Sequence, residues 1–247
     1  MLLARVTQRD FSRERNDLML NTINIAIDGP AGAGKSTVAK ELAKELSFIY
    51  VDTGALYRAI GVYILDKGCE STNNQQVIPH IKDIKVELKF QNGMQKIYLN
   101  GNDVTDKIRE PQISMAASNV SAINEVRAFL LELQRDIAKK NNVIMDGRDI
   151  GTVILPDADV KIFLTASAQN RAQRRHLELT QKGHNVNYDE LLKEIIQRDH
   201  NDSTRTIAPL RPADDAIIVD NSDMDFKQTL DFILKLVRGA NQCCTKS

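Results

Sequence analysis

A chain of 247 residues, 42% of them hydrophobic, can bury one substantial core and is expected to form a single domain with small appendages. Lysine plus arginine and aspartate plus glutamate both total 33, so no net field draws the molecule to nucleic acid or an anionic membrane surface, and any basic site has to be local. The three cysteines, Cys69 and the adjacent Cys243 and Cys244, have neither metal-ligand nor disulfide-framework spacing, and no apolar run has the length that crosses a bilayer.

A reducing, cytoplasmic setting follows as the simplest expectation, with no nucleic-acid or membrane partner. Residues 1–20 carry Arg5, Arg9, Arg13 and Arg15 among few apolar partners and lack the apolar centre of a signal peptide. They read as a disordered extension, with Met19 as an alternative start.

Five apolar runs bounded by turn residues then read as strands: Ile23–Ile27, Phe48–Val51, Val143–Met145, Val160–Leu164 and Ala216–Val219. Each leads into a helix-period segment or a long crossover, the pattern of a parallel sheet flanked by helices in an α/β fold. Two stretches break the alternation. Ile84, Val86, Leu88 and Phe90 alternate with charged residues, Asn92-Gly93 offers a hairpin turn, Ile97 and Leu99 continue the pattern, and Asn100-Gly101 repeats the turn signal. The reading is a small antiparallel β insertion over residues 82–109, dividing a core of residues 21–81 and 110–240.

The helix from Asn124 to Lys139 carries the apolar stripe Val126, Leu130, Leu133 and Ile137. Further on, helical patterns flank the tip Lys182-Gly183-His184-Asn185, so residues 169–190 are expected to form a short lid. The helix from Tyr188 onward is expected to bury Leu191, Leu192, Ile195 and Ile196.

The strongest chemical signal lies after the first strand, where Gly29, Pro30, Ala31, Gly32, Ala33, Gly34, Lys35, Ser36 and Thr37 fit the spacing G-x-x-x-x-G-K-[ST]. Glycines let backbone N–H groups curl around phosphate oxygens, the following helix points its positive end at them, and the lysine reaches the β and γ groups. Ser36 is then placed to ligate Mg²⁺, with Asp146 at the end of a strand as a second holder through water. The plain alternative, a Gly-rich turn with a surface lysine, does not need an apolar strand before it and an amphipathic helix after it. No N-K-x-D segment marks a GTPase, and no strand ends in the Asp-Glu of motor ATPases.

Four ordered segments go further: GPAGAGKST at 29–37, DTGALYR at 52–58, DGRDIGTVILPDADVKIFLTA at 146–166 and RDHNDSTRTIAPL at 198–210. On these residues the chain resembles the bacterial cytidylate kinases, nucleoside monophosphate kinases of the P-loop NTPase fold. The resemblance implies a five-stranded parallel core, an insertion that closes over the monophosphate and a mobile lid. It also implies transfer of the γ-phosphate of ATP to CMP or dCMP by a monomeric enzyme.

It further implies roles. Arg58, Arg148 and Arg205 would hold the CMP phosphate, and Lys35, Mg²⁺ and the lid residues Arg174 and Arg175 would hold the donor, with Arg171 in the same cluster. Asp149 would accept from the cytosine N4 amine, with Ser118 and Arg127 completing the base contacts. Arg198 and Asp202 would reach the ribose hydroxyls, Tyr57 would wall the sugar or base, and Thr53, Asp146 and Gly147 would complete the CMP site. Taken singly, Thr53 and Arg58 also read as a capped, solvated helix, Arg127 as a solvated helical position, and Arg198 with Asp202 as a surface pair.

An acceptor phosphate with a second pKa near 6 is already nucleophilic at neutral pH, so no general base is needed and none of the four histidines is a candidate for one. Arginine suits the task, because its planar fork binds phosphate oxygens in pairs and keeps its charge. Alternatives are a kinase of the same fold acting on UMP, AMP or dTMP, an ATP-dependent switch, and an RNA-binding protein using the N-terminal arginines.

Overall fold

The first strand, β1 (Asn24–Asp28), is buried from Ile25 onward because it lies at the centre of the main sheet. The computed structural model describes residues 22–91 and 94–244, so the expected N-terminal extension and the Asn92-Gly93 turn lie outside the described residues. After β1 come α1 (Lys35–Leu46), β2 (Ile49–Asp52), α2 (Thr53–Asp66) and the short α3 (Asn74–Val77). A three-stranded antiparallel sheet follows, β3 (Val86–Gln91), β4 (Met94–Leu99) and β5 (Asn102–Asp103), and then α4 (Pro111–Val120) and α5 (Asn124–Lys140). The chain continues through β6 (Val143–Gly147), a π-helical turn (Ile150–Ile154), β7 (Val160–Thr165), α6 (Ala168–Gln181), α7 (Tyr188–Thr204), β8 (Ile217–Asp220) and α8 (Phe226–Cys244).

The main sheet runs β2-β6-β1-β7-β8, all parallel. Residues alternate across it: Ile25 and Ile27 pack with Val38 and Leu42 of α1 and Ile233 and Val237 of α8, whereas Ala26 packs with Val51, Met145 and Ile150 on the other face. Both faces of β1 and β6 are therefore covered, which is why these two strands read as unbroken apolar runs, whereas the edge strand β8 leaves Ile217 and Ile218 exposed. A third cluster joins α2, α4 and α5 to the antiparallel sheet through Leu56, Ile60, Val120, Leu130, Ile97 and Leu99.

Each expected strand of the main sheet begins within one residue of its observed start. The turn between β4 and β5 has Asn100 at φ 48° and Gly101 at φ 84°, the geometry a two-residue hairpin demands. Two local readings change. Ile196 is 51% exposed, because α7 packs through Leu191 and Ile195 and needs only a narrow stripe. The cap of α2 is Asp52, whose side chain accepts from Ala55 N–H, while Thr53 is the first helical residue.

β1 lies between β6 and β7, so the order of the strands reverses at its C-terminal end. Open α/β sheets bind ligands in the crevice at such a point. The antiparallel sheet reaches this crevice through Gln95, whose Oε1 accepts from Asp52 N–H at 2.9 Å and whose amide donates to Asp52 O at 3.3 Å.

Candidate active site

The turn from β1 into α1 is built on backbone that only glycine tolerates. Gly29 has φ 145°, and a Cβ there would lie 1.9 Å from the Leu164 carbonyl oxygen. The loop thus passes hard against β7 before its N–H groups turn inward. Lys35 is buried and folds back over the loop, its Nζ donating to Pro30 O at 2.8 Å. Burial, and next the charge of Arg148, hold it well below the ordinary lysine value, against the pull of Asp146.

Parallel pairing puts Asp52 opposite Asp146 at the ends of β2 and β6. Two carboxylates side by side at a sheet edge need compensation, and the surroundings supply it. Ser36 Oγ donates to Asp146 Oδ2 at 2.8 Å and Tyr50 Oη donates to Asp146 Oδ1 at 2.8 Å, while Arg58 Nη2 pairs with Asp52 Oδ2 at 2.7 Å. Burial and the neighbouring Asp52 still push Asp146 above the usual carboxylate range. Thr53 Oγ1 donates to the Asp146 carbonyl, and a Cβ on Gly147 would lie 2.7 Å from that hydroxyl, so this corner admits no larger residue.

Around this edge the cations converge. Arg148 Nε pairs with Asp202 Oδ2 at 2.8 Å, bridging β6 to the last turns of α7. Burial, then Arg148, and to a lesser degree Arg58, lower Arg198 to about 10. Lys35 also feels Arg148 and Arg198, and Ser36, Asp146, Asp52 and Asp202 tie the neighbouring segments together, so Lys35, Arg58, Arg148 and Arg198 share one cleft although they come from four separate sequence motifs. Arg58 Nε and Arg198 Nε are buried without a hydrogen-bond partner among the described residues. Buried donors left open in a cationic cleft fit an anionic ligand with several oxygens.

Beside this cleft Asp149 is 3% exposed, ion-paired to Arg127 and, at 3.5 Å, to Arg205 Nη2. Arg127 is buried and lies over the Tyr57 ring, its guanidinium carbon 5.7 Å from the centroid, so it is not a solvated helical residue. Burial pushes Tyr57 up to about 12. A cavity of about 220 Å³ opens against Tyr57 and Arg127, walled by Leu131, Val153, Ile154 and Ile207. Among the described residues, hydrogen bonds link Ser118 to this group through Ser121: Ser121 Oγ donates to Ser118 O, and Arg127 Nη1 donates to Ser121 O.

The arginines of α6 do not act as one face. Arg171 is 4% exposed and fixed in place by bonds to Asp199 (2.5 and 3.0 Å), Ala166 O and Ala31 O, so it braces the phosphate loop and is not free to swing. Arg174 grips Asn221 through its side-chain and backbone oxygens, and Asn221 in turn donates to Ala33 O at 3.1 Å, which keeps Arg174 beside the loop. Arg175 is exposed and pairs with Glu178 one turn along α6.

The family model described as "Cytidylate kinase" matches residues 25–239. A cytidylate kinase of Caldicellulosiruptor saccharolyticus is 52% identical over 217 residues, 88% of this chain and 96% of that protein. One from Carboxydothermus hydrogenoformans is 52% identical over 89% of this chain and 99% of its own length, and one from Thermotoga maritima is 46% identical over 87% and 96%. The chain belongs to the cytidylate kinase family.

Within this cytidylate kinase scaffold several site residues carry no sequence motif of their own. Tyr50, Gln95 and Asn221 touch the motif residues Asp146, Asp52 and Ala33, and Ser121 touches Arg127, yet each lies in a segment whose pattern is that of a strand, turn or helix. Asp28 is likewise absent from the motif reading. It is 4% exposed, and burial pushes it up to about 6 despite two backbone hydrogen bonds. The only signal for it is its position at the end of an apolar strand, where a buried acid demands a partner.

Proposed function

We propose that the protein transfers the γ-phosphate of ATP to CMP or dCMP, giving ADP and CDP or dCDP. The observation that carries this reading is the convergence of Lys35, Arg58, Arg148 and Arg198 at one sheet edge, with the Asp149–Arg127 pair next to it. Joining two anions end to end is opposed by about 4 kcal/mol per unit pair at 4 Å and an effective dielectric near 20, so several fixed cations are required.

In this reading the loop N–H groups of residues 29–37, with Lys35 and Arg174, hold the donor phosphates. Arg58, Arg148 and Arg205 take the CMP phosphate, whose dianion attacks without a protein base. The Asp202 carboxylate keeps one oxygen on Arg148 and offers the other to a ribose hydroxyl, with Arg198 alongside. Asp149 accepts from the cytosine N4 amine, and Arg127 and Ser118 supply donors to O2 and N3. Ser36 Oγ and the Asp146 carboxylate are hard oxygen donors 2.8 Å apart that fit Mg²⁺ and would hold it, where it neutralises phosphate charge.

ADP release from Mg-ATP, measured with CMP, dCMP, UMP, AMP and GMP one at a time, tests the reading. CMP and dCMP are expected to be far the best acceptors, and a better rate with AMP or UMP would replace this assignment with another acceptor. Base choice has its own test. A site that presents a buried carboxylate to an amine rejects the carbonyl of uracil because both groups are then left unpaired. Arg127→Ala, which frees Asp149 from its closest partner, is expected to lower the CMP-over-UMP ratio of kcat/KM by about 10- to 100-fold. An unchanged ratio would show that Arg127 takes no part in reading the base.

A further inference from the structure

Asp149 occupies the N-cap position of the π-helical turn Ile150–Ile154, yet its side chain makes no capping bond. An aspartate at an N-cap ordinarily turns its carboxylate back onto the N–H groups of the first turn, which otherwise lack acceptors. Here that work is done from another strand. Asp28 Oδ1 accepts from Ile150 N–H and Asp28 Oδ2 from Gly151 N–H, each at 2.8 Å and across more than a hundred residues of sequence.

The register of the sheet allows this. Asp28, the last residue of β1, pairs with Gly147, so its side chain lies under the chain as it leaves β6 toward Asp149. The fit is close: a Cβ on Gly151 would come 3.5 Å from Asp28 Oδ2 and 3.2 Å from Lys161 Cδ. Asp28 is also the residue before Gly29, where the phosphate loop begins. One buried carboxylate therefore joins the start of that loop to the segment carrying Asp149.

We propose that Asp28 is a positioning residue for the acceptor base: it caps the turn after Asp149 in place of Asp149 itself, and so leaves the Asp149 carboxylate held by Arg127 and Arg205 and turned toward the nucleotide. This rests on the reading of Asp149 as the group that accepts from cytosine. With Asp28 replaced by asparagine, one acceptor oxygen remains and an amide faces the second N–H. The turn then has an open donor, and Asp149, at the N-cap position, carries a carboxylate of the kind that ordinarily fills it.

The test is steady-state kinetics of Asp28→Asn with CMP, UMP and ATP varied in turn. The expected result is a rise of about tenfold in the KM for CMP and an equal fall in the CMP-over-UMP ratio of kcat/KM, the scale of one charge-assisted hydrogen bond. The kcat with saturating CMP and the KM for ATP are expected to stay within about threefold, whereas a general loosening of the structure lowers kcat and raises both KM values together. Amide hydrogen exchange at Ile150 and Gly151 is expected to quicken while β1 and β6 stay protected.

Asp28→Ser serves as a second variant if Asp28→Asn does not fold. It leaves a single, shorter oxygen for the two N–H groups now held by the carboxylate, and the same selective loss for CMP is expected. A wild-type enzyme with no CMP-over-UMP preference would remove the base-reading role of Asp149. A selective wild type with an unchanged ratio in both variants would remove the role of Asp28 alone.

Discussion

Lys35→Ala is expected to lower kcat for CMP phosphorylation by about 10³-fold while the KM for CMP stays within about threefold, because one unit charge at 4 Å in such a cleft is worth about 4 kcal/mol. Lys35 is buried and already lies against the loop through its bond to Pro30 O, so little of its energy is spent on ordering when the donor arrives. Its neighbours Arg148 and Arg198 are also positive, and the alanine variant loses a repelled cation as well as a catalytic one. Thermal unfolding should therefore show no loss of stability, which separates the catalytic deficit from misfolding. Stopped-flow or coupled-assay turnover with saturating ATP measures the effect. A variant that keeps more than about a tenth of the wild-type kcat would remove Lys35 from the transfer step.

Arg148→Met is expected to cost both activity and stability, for separable reasons. The Asp202 side chain is only 7% exposed and its oxygen is held by Arg148 Nε. Burial opposes its ionisation, yet Arg148, and after it Arg198 and Arg205, keep the Asp202 carboxyl below the ordinary value. Removing one partner of such a pair leaves a buried charge and typically costs about 3 kcal/mol, or a Tm lower by about 10 °C in a chain of this size. The phosphate clamp is lost in the same step, and kcat/KM for CMP should fall by about 10³-fold. Adding Asp202→Asn to the same chain is expected to recover most of the Tm and none of the activity. Recovery of turnover in the double variant would mean that Arg148 acts only as a structural partner of Asp202.

Much of the architecture was legible because burial on both sides of a sheet leaves a simple trace. The runs at Ile25 and Val143 are apolar without alternation because their strands lie inside the sheet, whereas the run ending at Val219 is an edge strand with Ile217 and Ile218 exposed, and the run from Val160 carries Lys161, paired with Asp215. The antiparallel sheet was equally plain, since Val86, Ile97 and Leu99 face a core while Lys85, Glu87 and Lys96 form exposed ion pairs. Ile196 misled because helical spacing alone does not say how wide a stripe the neighbouring element will cover.

The site was legible where a motif fixes chemistry and obscure where the partner is distant in sequence. Arg171 sits in a run of basic residues that resembles a wet helix face, and its partner Asp199 lies on another helix 28 residues on. Arg127 reads as solvent-facing until α5 is packed, when the same position falls between Tyr57 and Asp149. Asp28 is the extreme case, because its two bonds reach residues 122 and 123 positions away and use only backbone groups, which any sequence possesses.

One feature of the cleft governs how it meets its substrates. Arg58 and Arg148 each come with an acid of their own, Asp52 and Asp202, and Arg205 shares Asp149 with Arg127. These acids orient the guanidinium groups through contacts within the fold, while Arg58 Nε and Arg198 Nε stay open for a ligand. An incoming phosphate displaces no disorder; it competes with resident carboxylates for the same donors. Such a contest favours a dianion with three oxygens over chloride or a lone carboxylate, because several donors can be satisfied by one ligand at once.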